Sequence, residues 1–315
     1  MSYHILHLTK PNCYLSTERG ILFSRYENDE TKMMPLLDLK AIIVATFGVS
    51  FSNSCLAKLL ENNVVILHCN SKYKPVGWSL PLEKIVRTNV FYNQIAQNKE
   101  FEKALWNKIL KAKVLNQANN LKLIGIEEHN LFKLIERPLI NEANIARQYW
   151  QNYFPALGNT IKRERQGAET FENICLNYGY AVVQSLIYRS ILIHGLIGGL
   201  GVHHLSKYDS TPLVYDLMEP YRPFVDYYFY MFVENNDKDC SDENFKSWII
   251  YIATCIKNYR IEINGISYKI VDSIDIYIEK IADAYLKFET SNIFLPDITK
   301  QYCYIDKHRN REYEE

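Results

Sequence analysis

Apolar residues in the first 80 positions fall in short β-branched and aromatic runs: YHILHL, CYLS, ILFSRY, AIIVATF and VVILHC. Runs of that length and composition predict strands, and Glu18-Arg19-Gly20 between two of them predicts a hairpin turn. One helix interrupts the series. Ser52 or Asn53 is its candidate cap, Leu56, Leu59 and Leu60 share its face through Glu61, and a strand over Val64 to Cys69 follows. The stretch SKYKPVGWSLPLEK has no period and is rich in Pro and Gly, so it reads as a linker. Beyond it the period becomes helical, over Phe101–Ile124, Ile140–Phe154, Ala168–His194, Pro212–Glu234, Asn244–Lys257 and Val271–Glu289. Alternation on both sides of Asn264-Gly265 predicts a hairpin over Tyr259–Ile270.

This pattern predicts an α+β chain: a β-rich N-terminal domain over residues 1–80, a linker at 81–86, a mainly α-helical domain over 87–305 and a charged tail at 306–315. A length of 315 residues and 48% hydrophobic composition suffice for two cores. Lys plus Arg and Asp plus Glu number 36 each, so any surface for nucleic acid must be a local patch. Seven scattered cysteines with no CxxC suggest neither a disulfide framework nor a thiolate zinc site, and fit a reducing cytoplasm. The N-terminus lacks a signal-peptide pattern, and the longest apolar run, Ser185 to Val202, is broken by Arg189 and His194; no membrane span is expected.

Candidate chemistry collects in GVHHLSKYDSTPLVYDLMEPYRPFVD, residues 201–226. Pro212 at the first helical position follows two hydroxyl residues, a good helix start. Asp216, Glu219 and Arg222 recur every three residues, which on a helix lines two carboxylates and a guanidinium along one side. An exposed acidic face with an Arg partner is the plain alternative. Pro220 lacks an amide hydrogen and disfavours α geometry at Glu219, so a bend is expected there. His203 and His204 precede the helix in a glycine-rich segment; either could be a ligand, or a hydrogen-bonded structural histidine.

Upstream, Pro138 starts a helix on which Glu142 shares a stripe with Ala146 and Tyr149. Glu142 is either a partnered acid or a first-turn residue favoured by the helix dipole. Two carboxylates and an imidazole would suit manganese or magnesium with positions left for phosphate oxygens, whereas the zinc-protease HExxH is absent. In NTIKRERQ, Lys162, Arg163 and Arg165 form a candidate phosphate-binding loop, or an ordinary solvated one. Tyr227, Tyr228, Phe229 and Tyr230 read as a core-facing run, not as a stacking platform for bases.

Three blocks, in order, resemble the CRISPR-associated protein one family, the integrase subunit of spacer acquisition: NEANIARQYW; IKRERQGAETFENICLNYGYA with its Leu-Asn-Tyr-Gly-Tyr-Ala signature at 176–181; and GLIGGLGVHH followed by LVYDLMEPYRPFVD. Ala143 stands where many members have glycine, and residues 166–170 lack prolines often found there. The wording DLMEPYRP most resembles members from single-large-effector systems.

The resemblance implies Glu142, His204 and Glu219 as catalytic metal ligands for magnesium or manganese, with Asp216 and Arg222 in support. His204 is chosen over His203 because the family histidine stands fifteen residues before the glutamate of the Glu-Pro pair. It implies a homodimer formed through the N-terminal domain, two such dimers bridged by the small CRISPR-associated protein two, and double-stranded DNA whose 3′ ends are joined to CRISPR repeat DNA. Other readings are a non-catalytic DNA-binding scaffold and a metal-dependent phosphoesterase for small substrates.

Overall fold

The computed structural model describes residues 4–27, 30–70, 75–82, 87–96, 98–126, 131, 133, 142–165, 167–204, 210–236 and 241–303. The N-terminal part holds β1 (His4–Leu8), β2 (Cys13–Glu18), β3 (Ile21–Tyr26), β4 (Thr31–Pro35), β5 (Leu39–Val44), β6 (Ser50–Phe51), α1 (Asn53–Glu61), β7 (Val65–Cys69) and β8 (Pro75–Ser79). They form two four-stranded sheets, in the orders β1-β5-β7-β8 and β4-β3-β2-β6. The β2–β3 turn pairs Glu18 with Ile21, and both central residues have positive φ, 48° at Arg19 and 78° at Gly20. That is the geometry whose twist matches the flanking strands, and glycine tolerates it without strain. Ser52 is the cap of α1, accepting a hydrogen bond from the Cys55 amide at 3.1 Å.

The stretch read as a linker is corrected in part. Residues 75–79 form β8, antiparallel to β7, with Trp78 opposite Leu67. Period and propensity hide this strand because Pro75 opens it and Gly77 sits at its centre, while its pairing comes from the tertiary partner. The exposed β4, TKMMP, also carries no alternation and was not expected. Residues 83–86, the start of the helix at Pro138 and the charged tail 306–315 lie outside the described residues.

The mainly helical remainder comprises α2 (Thr88–Ile95), α3 (Lys99–Leu123), α4 (Glu142–Ala156), α5 (Phe171–Ile193), α6 (Pro212–Met218), α7 (Arg222–Asn235), α8 (Asp242–Asn258), the hairpin β9 (Tyr259–Ile263) and β10 (Ile266–Lys269), α9 (Ile270–Lys287) and β11 (Gln301–Cys303), which pairs with β9. The hairpin turns at Asn264-Gly265, again with positive φ at both. Helix α2 was not expected; its cap Arg87 makes no capping hydrogen bond, so the sequence carries no start signal.

The sheet β1-β5-β7-β8 is buried on both faces. Leu8, Ile42, Val44 and Ile66 join the N-terminal core with Leu15, Leu22, Cys55 and Leu59, whereas Ala41, Ile43 and Leu67 join the helical core. Strand periodicity of two sends alternate residues of β5 to the two bodies. Helix α5 packs on β5 and β7, and α8 on β1. Lys40 of β5, almost fully buried, bridges to Asp272 at 2.9 Å and Asp275 at 2.6 Å on α9. Among the described residues, no helix is long and apolar enough to cross a membrane.

Candidate metal centre

Helix α3 runs through the helical core against α4, α7 and the turn between α6 and α7. Its buried positions are mostly apolar, but Lys113, Asn116, Gln117 and Asn120 form a buried polar stripe. These residues fall at helical spacing on one side of α3. Asn116 donates to the carbonyls of Pro220 and Pro296, both at 2.9 Å, and accepts from the Ile298 amide at 3.1 Å.

The contact to Pro220 pins the feature that aims Glu219. Helix α6 stops at Met218, Glu219–Tyr221 form a single 3-10 turn, and α7 starts at Arg222. The regular helix is thus interrupted at Pro220 by one 3-10 turn, as the missing Pro220 amide leads one to expect, but Glu219 keeps α-helical dihedrals (φ −54°, ψ −41°), so the expected departure from α geometry at Glu219 does not occur. Glu219 is buried to 4% exposure. Its Oε2 lies 2.7 Å from Lys113 Nζ, and its Oε1 lies 3.1 Å from Arg222 Nε. Both contacts are close ion pairs that keep the buried carboxylate charged. Burial pushes the Glu219 carboxyl upward, but the Arg222 and Lys113 charges outweigh it and hold the group below the usual carboxylate range.

Glu142 opens α4, and its Oε1 accepts from the same Lys113 ammonium at 2.7 Å. Two carboxylates from helices 77 residues apart in sequence thus converge on one cation.

His204 approaches from the segment before α6. Asp216, fully buried, accepts from the amides of Val202 at 2.6 Å, His203 at 2.8 Å and His204 at 3.2 Å, and from His204 Nδ1 at 2.5 Å. With Nδ1–H given to Asp216, Nε2 carries the ring's lone pair, the arrangement in which imidazole serves as a ligand. The Asp216 hydrogen bond raises His204 above its ordinary value against the opposing effect of burial, and the charges of Glu219 and Glu142 add to the rise. Gly201 is required here, since a Cβ would meet the His204 carbonyl oxygen at 2.4 Å. His203 lies parallel on the Trp106 ring, with centroids 4.3 Å apart. It packs, and Trp106 sets its place.

Beside these groups lies a cleft lined by Lys113, Gln117, Ala146, Trp150, Arg163, Arg165, Tyr180, Arg222 and Asp226. Arg163 donates to Asn173 and Asn177 of α5 at 2.9 and 2.6 Å, and sits over the rings of Trp150 and Tyr180. Arg165 is exposed and close enough for its charge to act on Glu219. Lys162 is exposed and does not line the cleft. The basic loop therefore divides: Arg163 and Arg165 face the same space as Arg222, and Lys162 does not. Sequence reasoning missed Lys113, Trp106 and Asp226. Asp226 accepts from the hydroxyls of Tyr149, at 2.8 Å, and Tyr180. Burial raises it to about 6.

Glu142, Glu219 and His204 offer two oxygen donors and one nitrogen, a set suited to magnesium or manganese. The ammonium already held 2.7 Å from both glutamates marks this as a spot that accommodates a cation. Among the described residues, no three His, Cys, Asp or Glu side chains stand close enough together to hold an ion as placed, and Lys113 occupies the space between the two glutamates.

Residues 6–248 match the family described as CRISPR associated protein Cas1. A CRISPR-associated endonuclease Cas1 from Neisseria meningitidis serogroup C (strain 8013) is 30% identical over 67% of this chain and 70% of its own length. A second, CRISPR-associated endonuclease Cas1 2 from Saccharolobus solfataricus, is 26% identical over 72% and 74%. Among solved structures, a casposase bound to integration product has a TM-score of 0.79 at 17% identity, covering 99% of this chain and 98% of that one. A CAS1 protein from Thermotoga maritima has a TM-score of 0.77 at 18% identity, covering 92% and 99%.

Proposed function

Because the chain belongs to the CRISPR-associated protein Cas1 family, we propose that it is a metal-dependent DNA integrase of CRISPR adaptation, with endonuclease activity at the same site. The observation that carries this reading is the convergence of Glu142 and Glu219 on a single cation, 2.7 Å from each. The casposase named for its integration product, which shares this fold, points the same way.

Glu142, Glu219 and His204 would hold magnesium or manganese. Bound there, the ion supplies Lewis-acid activation of a DNA 3′-hydroxyl and neutralises charge building on the attacked phosphodiester. In that transfer the 3′-oxygen forms a bond to phosphorus as an existing P–O bond breaks, so a new 3′-hydroxyl leaves and no covalent enzyme intermediate is needed. Asp216 fixes the His204 ring and keeps its proton on Nδ1. Arg222, Arg163 and Arg165 place positive charge along the cleft, where phosphate oxygens would lie.

The proposed partners are a duplex with 3′ ends, CRISPR repeat DNA, and the small CRISPR-associated protein two joining two homodimers. A complex named for Cas1 and Cas2 shares the fold, with a TM-score of 0.71 at 16% identity, covering 93% of this chain and 36% of that one. Met33, Leu37 and Phe47, exposed on the N-terminal part, give a dimer apolar surface to bury. A cytoplasmic location belongs to the same proposal.

The test is strand transfer of a short duplex into a repeat-bearing plasmid by the protein with its small partner, in magnesium or manganese. Glu142→Ala, His204→Ala and Glu219→Ala are expected to abolish product while DNA binding survives. Equal activity in all four proteins overturns the assignment. One competing reading is a DNA-binding scaffold. Duplex binding by the wild type with no strand transfer in either metal would establish that instead.

A further inference from the structure

We propose that Lys113 is the counter-ion of the metal-free centre: its ammonium sits in the cation's place and is displaced from Glu142 and Glu219 when a divalent ion binds. This rests on the metal reading above.

Three observations carry it. Lys113 contacts both glutamates at 2.7 Å, one on each side, although they come from different helices and would otherwise repel. Glu219 Oε2 faces the Lys113 ammonium while Oε1 faces Arg222, so a cation taking the ammonium's place meets an oxygen already directed at it. Lys113 also lines the cleft with Arg163, Arg165 and Asp226, so a flexible four-carbon stem can swing the ammonium toward water and phosphate while its root stays on α3.

Two consequences follow. In the absence of metal, Lys113 relieves repulsion between two carboxylates, one of them deeply buried, and so keeps the site folded. In its presence, Lys113 competes, so the apparent metal affinity is lower than the donor set alone would give.

The experiment measures Mn²⁺ binding to the full chain at pH 8 without DNA, from the free-ion electron paramagnetic resonance signal, alongside thermal midpoints with and without Mn²⁺. Lys113→Gln is expected to bind about tenfold more tightly than wild type, to melt lower without metal, and to gain more from Mn²⁺. Lys113→Arg, which keeps the charge, is expected to stay within about threefold of wild type. Should Lys113→Gln alone fold poorly, Lys113→Gln with Glu142→Gln removes the repulsion and is expected to restore the metal-free midpoint; failure to restore it overturns the counter-ion role. A wild-type site that Glu142→Gln abolishes, with affinity unchanged or weakened by Lys113→Gln, overturns this proposal and leaves the metal reading standing. No Glu142-dependent Mn²⁺ binding in the wild type overturns both.

Discussion

Asp216 and Glu219 stand three residues apart, both buried, both acidic, and they are held in opposite ways. Asp216 is enclosed by main-chain amides of Val202, His203 and His204 and by an imidazole N–H, all with hydrogen-bond geometry. Glu219 is held by two side-chain cations, Lys113 and Arg222. A carboxylate whose lone pairs are filled by backbone is an anchor: it fixes a loop and has nothing left to offer. A carboxylate kept charged by side-chain cations can exchange one of those partners for another cation. The same residue class on one short segment thus divides into architecture and chemistry, and the division follows from what fills the lone pairs.

Substitution should separate the two roles. The largest effect is expected from Glu219→Gln, which keeps the shape and removes the charge: strand transfer, read on a gel, should fall about a hundredfold or more with the fold retained. Asp216→Asn should show the reverse weighting. It weakens four hydrogen bonds to a charged acceptor, and the urea midpoint should report a loss of about 2–3 kcal/mol, with activity reduced through a misplaced His204. Equal loss of stability in both variants would break the comparison. Gly201→Ala pushes a methyl against the His204 carbonyl and should cost about 2 kcal/mol in the same assay; no cost would mean the loop yields freely.

The smallest effect concerns a third acid, Asp226, which lies between the two extremes. It is fully buried, hydrogen-bonded by Tyr149 and Tyr180, packed beside Tyr153, and near the charges of Arg163 and Arg222. Its carboxyl is raised from 3.8 to about 6, chiefly by burial. Between those values the folded chain binds the proton and the unfolded chain does not. The stabilisation is therefore full below pH 3.8 and is lost as pH rises through about 6. From pH 5 to pH 6 the loss should be about 1 kcal/mol, and Asp226→Asn should remove that slope from the denaturation profile.

Legibility in the sequence tracked the range of the cause. The Arg19-Gly20 and Asn264-Gly265 turns, the Ser52 cap and the 3-10 interruption at Pro220 depend on neighbouring residues, and local reading reaches them. Strand β8 and helix α2 lack such local marks and exist because of what they pack against. Glu142, His204 and Glu219 were named through a family resemblance, while spacing alone left both histidines open. Lys113 was missed because its role depends on α3 meeting α4 and the 3-10 turn in space. One signal was present: four polar residues, Lys113, Asn116, Gln117 and Asn120, fall on one side of a helix whose other buried positions are largely apolar. A buried polar stripe of that kind implies partners elsewhere in the chain, and here Lys113 meets the two glutamates, Asn120 meets Tyr149, and Asn116 meets the Pro220 turn and the segment at Pro296 and Ile298.

The sheet β1-β5-β7-β8, with one face in each core, has a further meaning for modularity. A wall shared by two rooms cannot be removed with either. Excising the N-terminal strands would strip Ala41, Ile43 and Leu67 from beneath the helices and leave Asp272 and Asp275 without Lys40. The helical half is therefore not a cassette that recombination could transplant by itself: the strands travel with the chemistry, and the two halves are expected to unfold in one calorimetric transition.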